Sequence, residues 1–195
     1  MERLIFDKQM TFLPSDKISH SRVGIGFEKL DRYPFEPEKA ANALRALAEE
    51  AQAEFVLCDT AGSGALMRSI VSDFADGALI VATQQPASIR SAERTAMLMQ
   101  EIGNVPPRMV ISLFEEEAAA GGERAGLIDI IDGAHIRTVG VVPRDRTLLL
   151  AQEKGVLPDK KSRAGTAFAN IAARLCGEEV RLFSGMKRMR VRRVL

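Results

Sequence analysis

Short, unbroken apolar runs alternate along this chain with longer segments whose apolar residues recur at helical spacing. The first pattern suits a strand buried on both faces, the second an amphipathic helix. Strand runs are Phe55–Cys58, Ala78–Thr83, Arg108–Leu113 and Ile136–Val142, the last stopped by Pro143, with a further short run at Met10–Leu13 before Pro14. Helices are expected over Glu36–Ala53, where Pro37 suits the first turn, and from about Gly64 to Phe74. A third starts from a Ser88 cap, presents Ile89, Ala92, Ala96, Met99 and Ile102 on one face, and ends at Gly103. Further helices are expected over Ala125–Asp132 and Thr147–Lys154. The last covers Arg163–Cys176, with Ala167, Phe168, Ile171 and Leu175 on one face and Gly177 at its end. Glu115–Arg124 is charged and glycine-containing, and reads as a solvated loop. Ser15–Asp31 is polar and turn-rich and receives no assignment. No hairpin turn joins the strands. The pattern predicts an α/β fold, a mostly parallel sheet with helices on both faces.

Length and charge refine this picture at one place. The 195 residues suffice for one domain of ordinary size, and the net charge of +1 points to neither nucleic acid nor membrane. Charge is unevenly distributed, however. Arg181, Lys187, Arg188, Arg190, Arg192 and Arg193 share the last 15 residues with no acidic group. The expected organisation is an α/β domain over residues 1–180 and a short basic tail over 181–195. Cys58 and Cys176 form no C-x-x-C pair, fall on predicted buried faces, and read as reduced core thiols. With no signal-peptide core in MERLIFDKQM and no stretch of roughly 18 apolar residues, a cytoplasmic location is expected.

Chemistry concentrates in Glu54–Gly64, EFVLCDTAGSG. A carboxylate ending a buried parallel strand stands at the sheet's carboxyl edge, where open α/β sheets bind ligands. Asp59 there has two readings: a helix cap, or a residue that holds Mg²⁺ through its waters in a phosphate-hydrolysing site. No G-x-x-x-x-G-K-[ST] loop occurs anywhere in the sequence, and no lysine directly follows a glycine. His20 and His135 lack ligand spacing.

Four segments, in order, carry a resemblance. Asp59-Thr60-Ala61-Gly62 follows the first strand run, and Thr83–Arg94 reads TQQPASIRSAER. Gly140–Asp145 reads GVVPRD, and Lys161–Glu178 reads KSRAGTAFANIAARLCGE. This set resembles the MinD/ParA family of P-loop ATPases, whose patterns are D-x-P-A-G, T-x-P-E-x-S-x-x-R-D-A-D-R, G-V-V-P-E-D and K-S-x-A-G-x-A-F-x-N-I-A-x-R-L-x-G-E. The match runs from about residue 54 to 180.

The resemblance implies a P-loop NTPase-like fold, ATP and Mg²⁺ as cofactors, and a role in placing the division septum. Asp59 would organise Mg²⁺ through its water shell, and Gly62 would bring a backbone N–H to the γ-phosphate. Ser112 and the turn Pro143-Arg144-Asp145 would line the adenine. Ser112 stands where the family carries an asparagine, so an acceptor with two donors is replaced by one hydroxyl. Implied partners are a division-site inhibitor, a topological-specificity factor, an anionic membrane surface and a second copy of the chain; no nucleic acid is expected. In the tail, Leu182, Phe183, Met186 and Met189 would form the apolar side of a membrane-targeting helix flanked by Lys187 and Arg188, at the inner face of the cell membrane. A disordered basic tail is the alternative. The family's first strand and phosphate-binding loop are not found, so the domain is expected to be incomplete at its N-terminus and unable to bind or hydrolyse ATP. Alternatives are a non-hydrolytic interaction module, or a relative acting in flagellar number or plasmid partition.

Overall fold

Three apolar segments pair into one parallel sheet in the computed structural model, which describes residues 71–102 and 105–182, with residues 42, 45, 46, 48–50, 52, 55–58 and 68 before them. β1 (Ala78–Ala82), β2 (Pro107–Phe114) and β3 (Thr138–Pro143) lie in that order, and both pairings are parallel. Parallel neighbours need crossover connections. α1 (Pro86–Ile102) joins β1 to β2, while α2 (Glu116–Ala120) and α3 (Leu127–Ala134) join β2 to β3. α4 (Arg146–Glu153) and α5 (Arg163–Leu175) complete the order.

The helices divide between the two faces, as the pattern predicts. On one side α1 and α3 pack Ala92, Ala96, Met99, Leu127 and Ile130 against Ile80, Met109, Ile111 and Val141. On the other, Ala164, Ala167 and Ile171 of α5, with Leu148 of α4, cover Val110, Val139 and Val142. Gly140 makes this second contact close, since a Cβ there would run into the side chain of Ile171. α5 starts where the Ser162 hydroxyl accepts from Gly165 N at 2.9 Å, and Gly177, at φ +88°, lies just past its last turn.

Several boundaries depart from the sequence pattern for local reasons. α1 begins at Pro86, whose missing N–H costs nothing in a first turn, so Ser88 is not its cap. The Ser88 hydroxyl instead accepts from Thr83 N at 3.0 Å and ties the end of β1 to the helix. The segment read as a solvated loop contains α2. β2 runs on to Phe114 because of a bulge: Ile111 pairs with Val141 but Phe114 with Pro143, leaving an extra residue on β2. Leu113 takes φ +54° there, at a cost of about 1–2 kcal/mol for a non-glycine residue. The bulge returns Phe114 to the α1–α3 core, where it is fully buried.

Burial corrects the pattern more seriously at β1. Leu79 and Val81 point to the α5 side, since Val81 pairs with Val110, yet they are 40% and 66% exposed. Phe55–Cys58, expected to be a buried strand, is not in a strand, and Leu57 is 86% exposed. Apolar composition prepares a segment for burial, but a strand needs a neighbour for its ladder, and no described residue supplies one. Phe168 and Leu175, placed on the buried face of α5, are exposed at its margin. Cys176 is exposed and Cys58 half-buried, so neither is the core thiol the pattern suggests. Burial still pushes the Cys58 thiol upward.

Candidate functional site at the carboxyl edge

The loops after the three strands meet at the carboxyl edge of the sheet, and a buried glutamine joins the first two. Gln84 lies directly after the apolar run of β1 and is only 3% exposed. Its Oε1 accepts from Glu115 N at 2.7 Å, and its Nε2 donates to Ala125 O at 3.0 Å and Glu115 O at 3.4 Å. Both ends of the amide are satisfied by backbone, so burial carries no penalty for a lost hydrogen bond. The end of β1, the end of β2 and the loop before α3 are thereby held in one arrangement.

Glu115, the first residue after β2, carries the connection to β3. Its Oε1 accepts from Arg144 Nη1 at 2.8 Å and lies 3.5 Å from Arg124 Nη2. Arg144 N also donates to Phe114 O at 2.9 Å. Next to it, Glu116 pairs with Arg163 at the start of α5, while Glu116 Oε2 is buried with no hydrogen-bond partner. The residue pattern places the acidic run Glu115–Glu117 in solvent; Glu117 is exposed, but Glu115 and Glu116 are partly buried. A signal is present in the sequence all the same: a polar or charged residue immediately after a mostly apolar parallel strand stands at the carboxyl edge.

The expected nucleotide-side residues divide into two groups. Ser112, Pro143, Arg144 and Asp145 gather on adjacent strand ends, because Phe114 pairs with Pro143. Ser112 is half-buried at the β2 bulge, Pro143 is fully buried, and Arg144 is exposed but held by Glu115. Asp145 caps α4: its Oδ1 accepts from Thr147 N at 2.9 Å and from Thr147 Oγ1 at 2.7 Å. Its Oδ2 accepts from Ala164 N at 3.1 Å, in the first turn of α5. Desolvation works to raise the Asp145 carboxyl, but the hydrogen bonds from Thr147 and Ala164 and the charge of Arg163 outweigh it and hold it below the ordinary carboxylate range. Asp59 and Gly62 lie outside the described residues, as do Phe183, Met186, Lys187, Arg188 and Met189.

Leu182 is described and half-buried, just after a point where the chain is anchored. Arg174 donates to Val180 O at 2.9 Å, Val139 O at 2.8 Å and Arg181 O, joining the last described residues to β3. Its burial pulls the guanidinium below its usual value.

The Asp145 carboxylate is used by two helix starts, Arg144 is occupied by Glu115, and Pro143 has no exposed polar surface. An open cavity of about 700 Å³ is lined by Gln84, Gln85, Pro86, Arg124, Ala125 and Asp129 among others, and by none of Ser112, Pro143, Arg144 and Asp145. No cluster of metal-ligating side chains occurs among the described residues, and no helix among them is long and apolar enough to cross a membrane.

No protein-family model matches the sequence. The chain is 30% identical over 155 residues to the septum site-determining protein MinD of Bacillus subtilis, covering 78% of this chain and 57% of that protein. It is 31% identical over 139 residues to the same protein of Escherichia coli K12, covering 65% of this chain and 50% of the other. Among solved structures, the MinD cell division protein of Aquifex aeolicus superposes with a TM-score of 0.68 at 23% identity, covering 79% of this chain and 64% of that one. The MinC:MinD cell division protein complex of the same organism superposes at 0.67 with 25% identity, covering 79% and 63%. The chain spans about half the length of the curated relatives it matches. Its parallel sheet has the P-loop ATPase architecture, and the extent of the match to MinD shows that it belongs to the MinD/ParA family.

Proposed function

We propose that this chain acts in the placement of the division septum, as a MinD-like protein that engages a division inhibitor. The observation that carries the reading is the 30% identity to septum site-determining MinD over 78% of the chain. Likeness to the MinD of a MinC:MinD complex supports the choice of partner. In this role the protein is cytoplasmic and peripheral to the membrane. The tail 181–195, with Leu182, Phe183, Met186 and Met189 flanked by Lys187 and Arg188, meets an anionic lipid surface at about 1 kcal/mol per basic residue near the surface. Pairing of two copies would double that contact.

ATP and Mg²⁺ belong to the family reading, with Asp59 on the Mg²⁺ water shell and Gly62 at the γ-phosphate. Nucleotide binding of this kind needs a glycine-rich loop and its lysine to neutralise the phosphates. That motif is not in this sequence, and we infer that these 195 residues alone neither bind ATP strongly nor hydrolyse it. This is the reading of an interaction module without turnover. Co-purification with the division inhibitor, with and without ATP·Mg²⁺, tests the role. A nucleotide-independent complex is expected, and no complex in either condition would overturn it. Micromolar ATP affinity would overturn the nucleotide statement, and equal liposome flotation with and without residues 181–195 would remove the membrane contact.

A further inference from the structure

Arg144 and Arg124 reach the same oxygen of Glu115 from two different loops, at 2.8 and 3.5 Å. One carboxylate therefore serves two guanidinium groups, and the trio keeps a positive charge. The backbone at each corner is fixed independently of the ion pairs. Gln84 holds Glu115 by both N and O, Arg144 N donates to Phe114 O, and Arg124 N donates to Ala118 O at 3.2 Å. If the Glu115 side chain swung away, the backbone would still bring both arginines to this edge, where an anion could draw their guanidinium groups together. The arginine side chains are about half exposed, and pairs of this kind are worth only about 0.2–1 kcal/mol. A phosphate group offers more charge and more acceptors in a geometry that guanidinium forks match.

We propose that Arg124 and Arg144 form a phosphate-binding pair at the carboxyl edge, and that the Glu115 carboxylate fills it from within. The ligand class is a phosphate oxyanion, carried by a soluble nucleotide or by a lipid headgroup. Glu115 is then an internal competitor that keeps the edge closed until a stronger anion displaces it. Arg124 also lines the open cavity, which leaves room for the group attached to the phosphate. Glu123 and Asp129 line the same cavity and repel anions, so the phosphate sits on the Arg144 side of Arg124.

Pyrophosphate titrated by calorimetry at low ionic strength tests the pair. Glu115→Gln keeps the backbone contacts with Gln84 and is expected to bind at least tenfold more tightly than the unaltered chain. The double variant Glu115→Gln with Arg144→Gln is expected to lose that gain. Equal binding by the unaltered chain and Glu115→Gln would overturn the proposal, and so would a gain that survives Arg144→Gln. If Glu115→Gln does not fold, side-chain NMR of the unaltered chain decides. The Arg124 and Arg144 guanidinium signals must then move together as pyrophosphate is added, and unmoved signals sink the idea. Parallel titrations of Glu115→Gln with ATP and with phosphatidic-acid vesicles separate the sources. Binding of either that Arg144→Gln removes supports the site, and binding of neither overturns it.

Discussion

The α5 side of the sheet is closed over β3 and open over β1, although both strands are mostly apolar. Over β3, Gly140 lets α5 approach until Ile171 fills the space a side chain would take, and Val139 and Val142 are buried. Over β1, Leu79 and Val81 alternate with buried neighbours and stay exposed. The difference lies in the helix to which each strand leads. After β3 the chain turns through the Asp145 cap and Ser162 into α5, whose small residues Ala164 and Ala167 sit flat on the sheet. After β1 it runs into α1, which covers the other face. One strand has a helix for this side among the described residues, and the other has none.

Substitutions can break or sharpen this contrast. Ile171→Ala removes the side chain that seats α5 and is expected to cost about 2–5 kcal/mol, read by urea unfolding. Gly140→Ala overpacks the same contact at about 1–3 kcal/mol. Combining it with Ile171→Ala, which removes the side-chain carbons that the new Cβ would strike, should cost less than the two single losses added together, because the two sites are in contact; strict additivity would show that Gly140 is not held by Ile171. Acid titration probes the turn that delivers α5. The folded Asp145 carboxyl lies below its ordinary value of about 3.9. Its contribution is therefore complete above that value and is lost as pH falls through the lower, folded one. The stability gap between the unaltered chain and Asp145→Asn should be constant above about pH 5 and shrink below about pH 4. A gap unchanged down to about pH 2 would contradict the capping role. The smallest effect belongs to the open side: Val81→Ser should change stability by less than about 0.5 kcal/mol, as exposed positions do. A loss comparable with Gly140→Ala would mean that β1 is covered in solution.

Much of the architecture is legible from pattern. The strands β1, β2 and β3 and the helices α1, α3, α4 and α5 track apolar spacing, and the parallel sheet is implied by the absence of hairpin turns. Pattern could not show the geometry at strand ends. A bulge depends on two strands together, so nothing at Ser112 or Leu113 taken alone announces that Phe114 will turn inward. Gln84 and Glu115 are polar in sequence, and polarity alone reads as solvent. The role of Gln84 depends on backbone groups 31 and 41 residues away, and that of Glu115 on the guanidinium of Arg144, 29 residues away.

Asp59 and Gly62 are legible by motif and lie outside the described residues. Ser112, Pro143, Arg144 and Asp145 are also legible by motif, and the structure does place them on one edge. It assigns the Asp145 carboxylate to the starts of α4 and α5, and Arg144 to Glu115.

By itself the sequence determined most of the strands and helices, because apolar periodicity reflects the local repeat of the backbone; it read α2 as loop and Phe55–Cys58 as strand. It also determined family membership, because ordered motifs persist where spacing does. Only the tertiary structure decided which apolar face is covered, which carboxylate meets which arginine, and which glycine admits a helix. Those outcomes depend on distances between residues far apart in the chain, and local pattern carries no record of them.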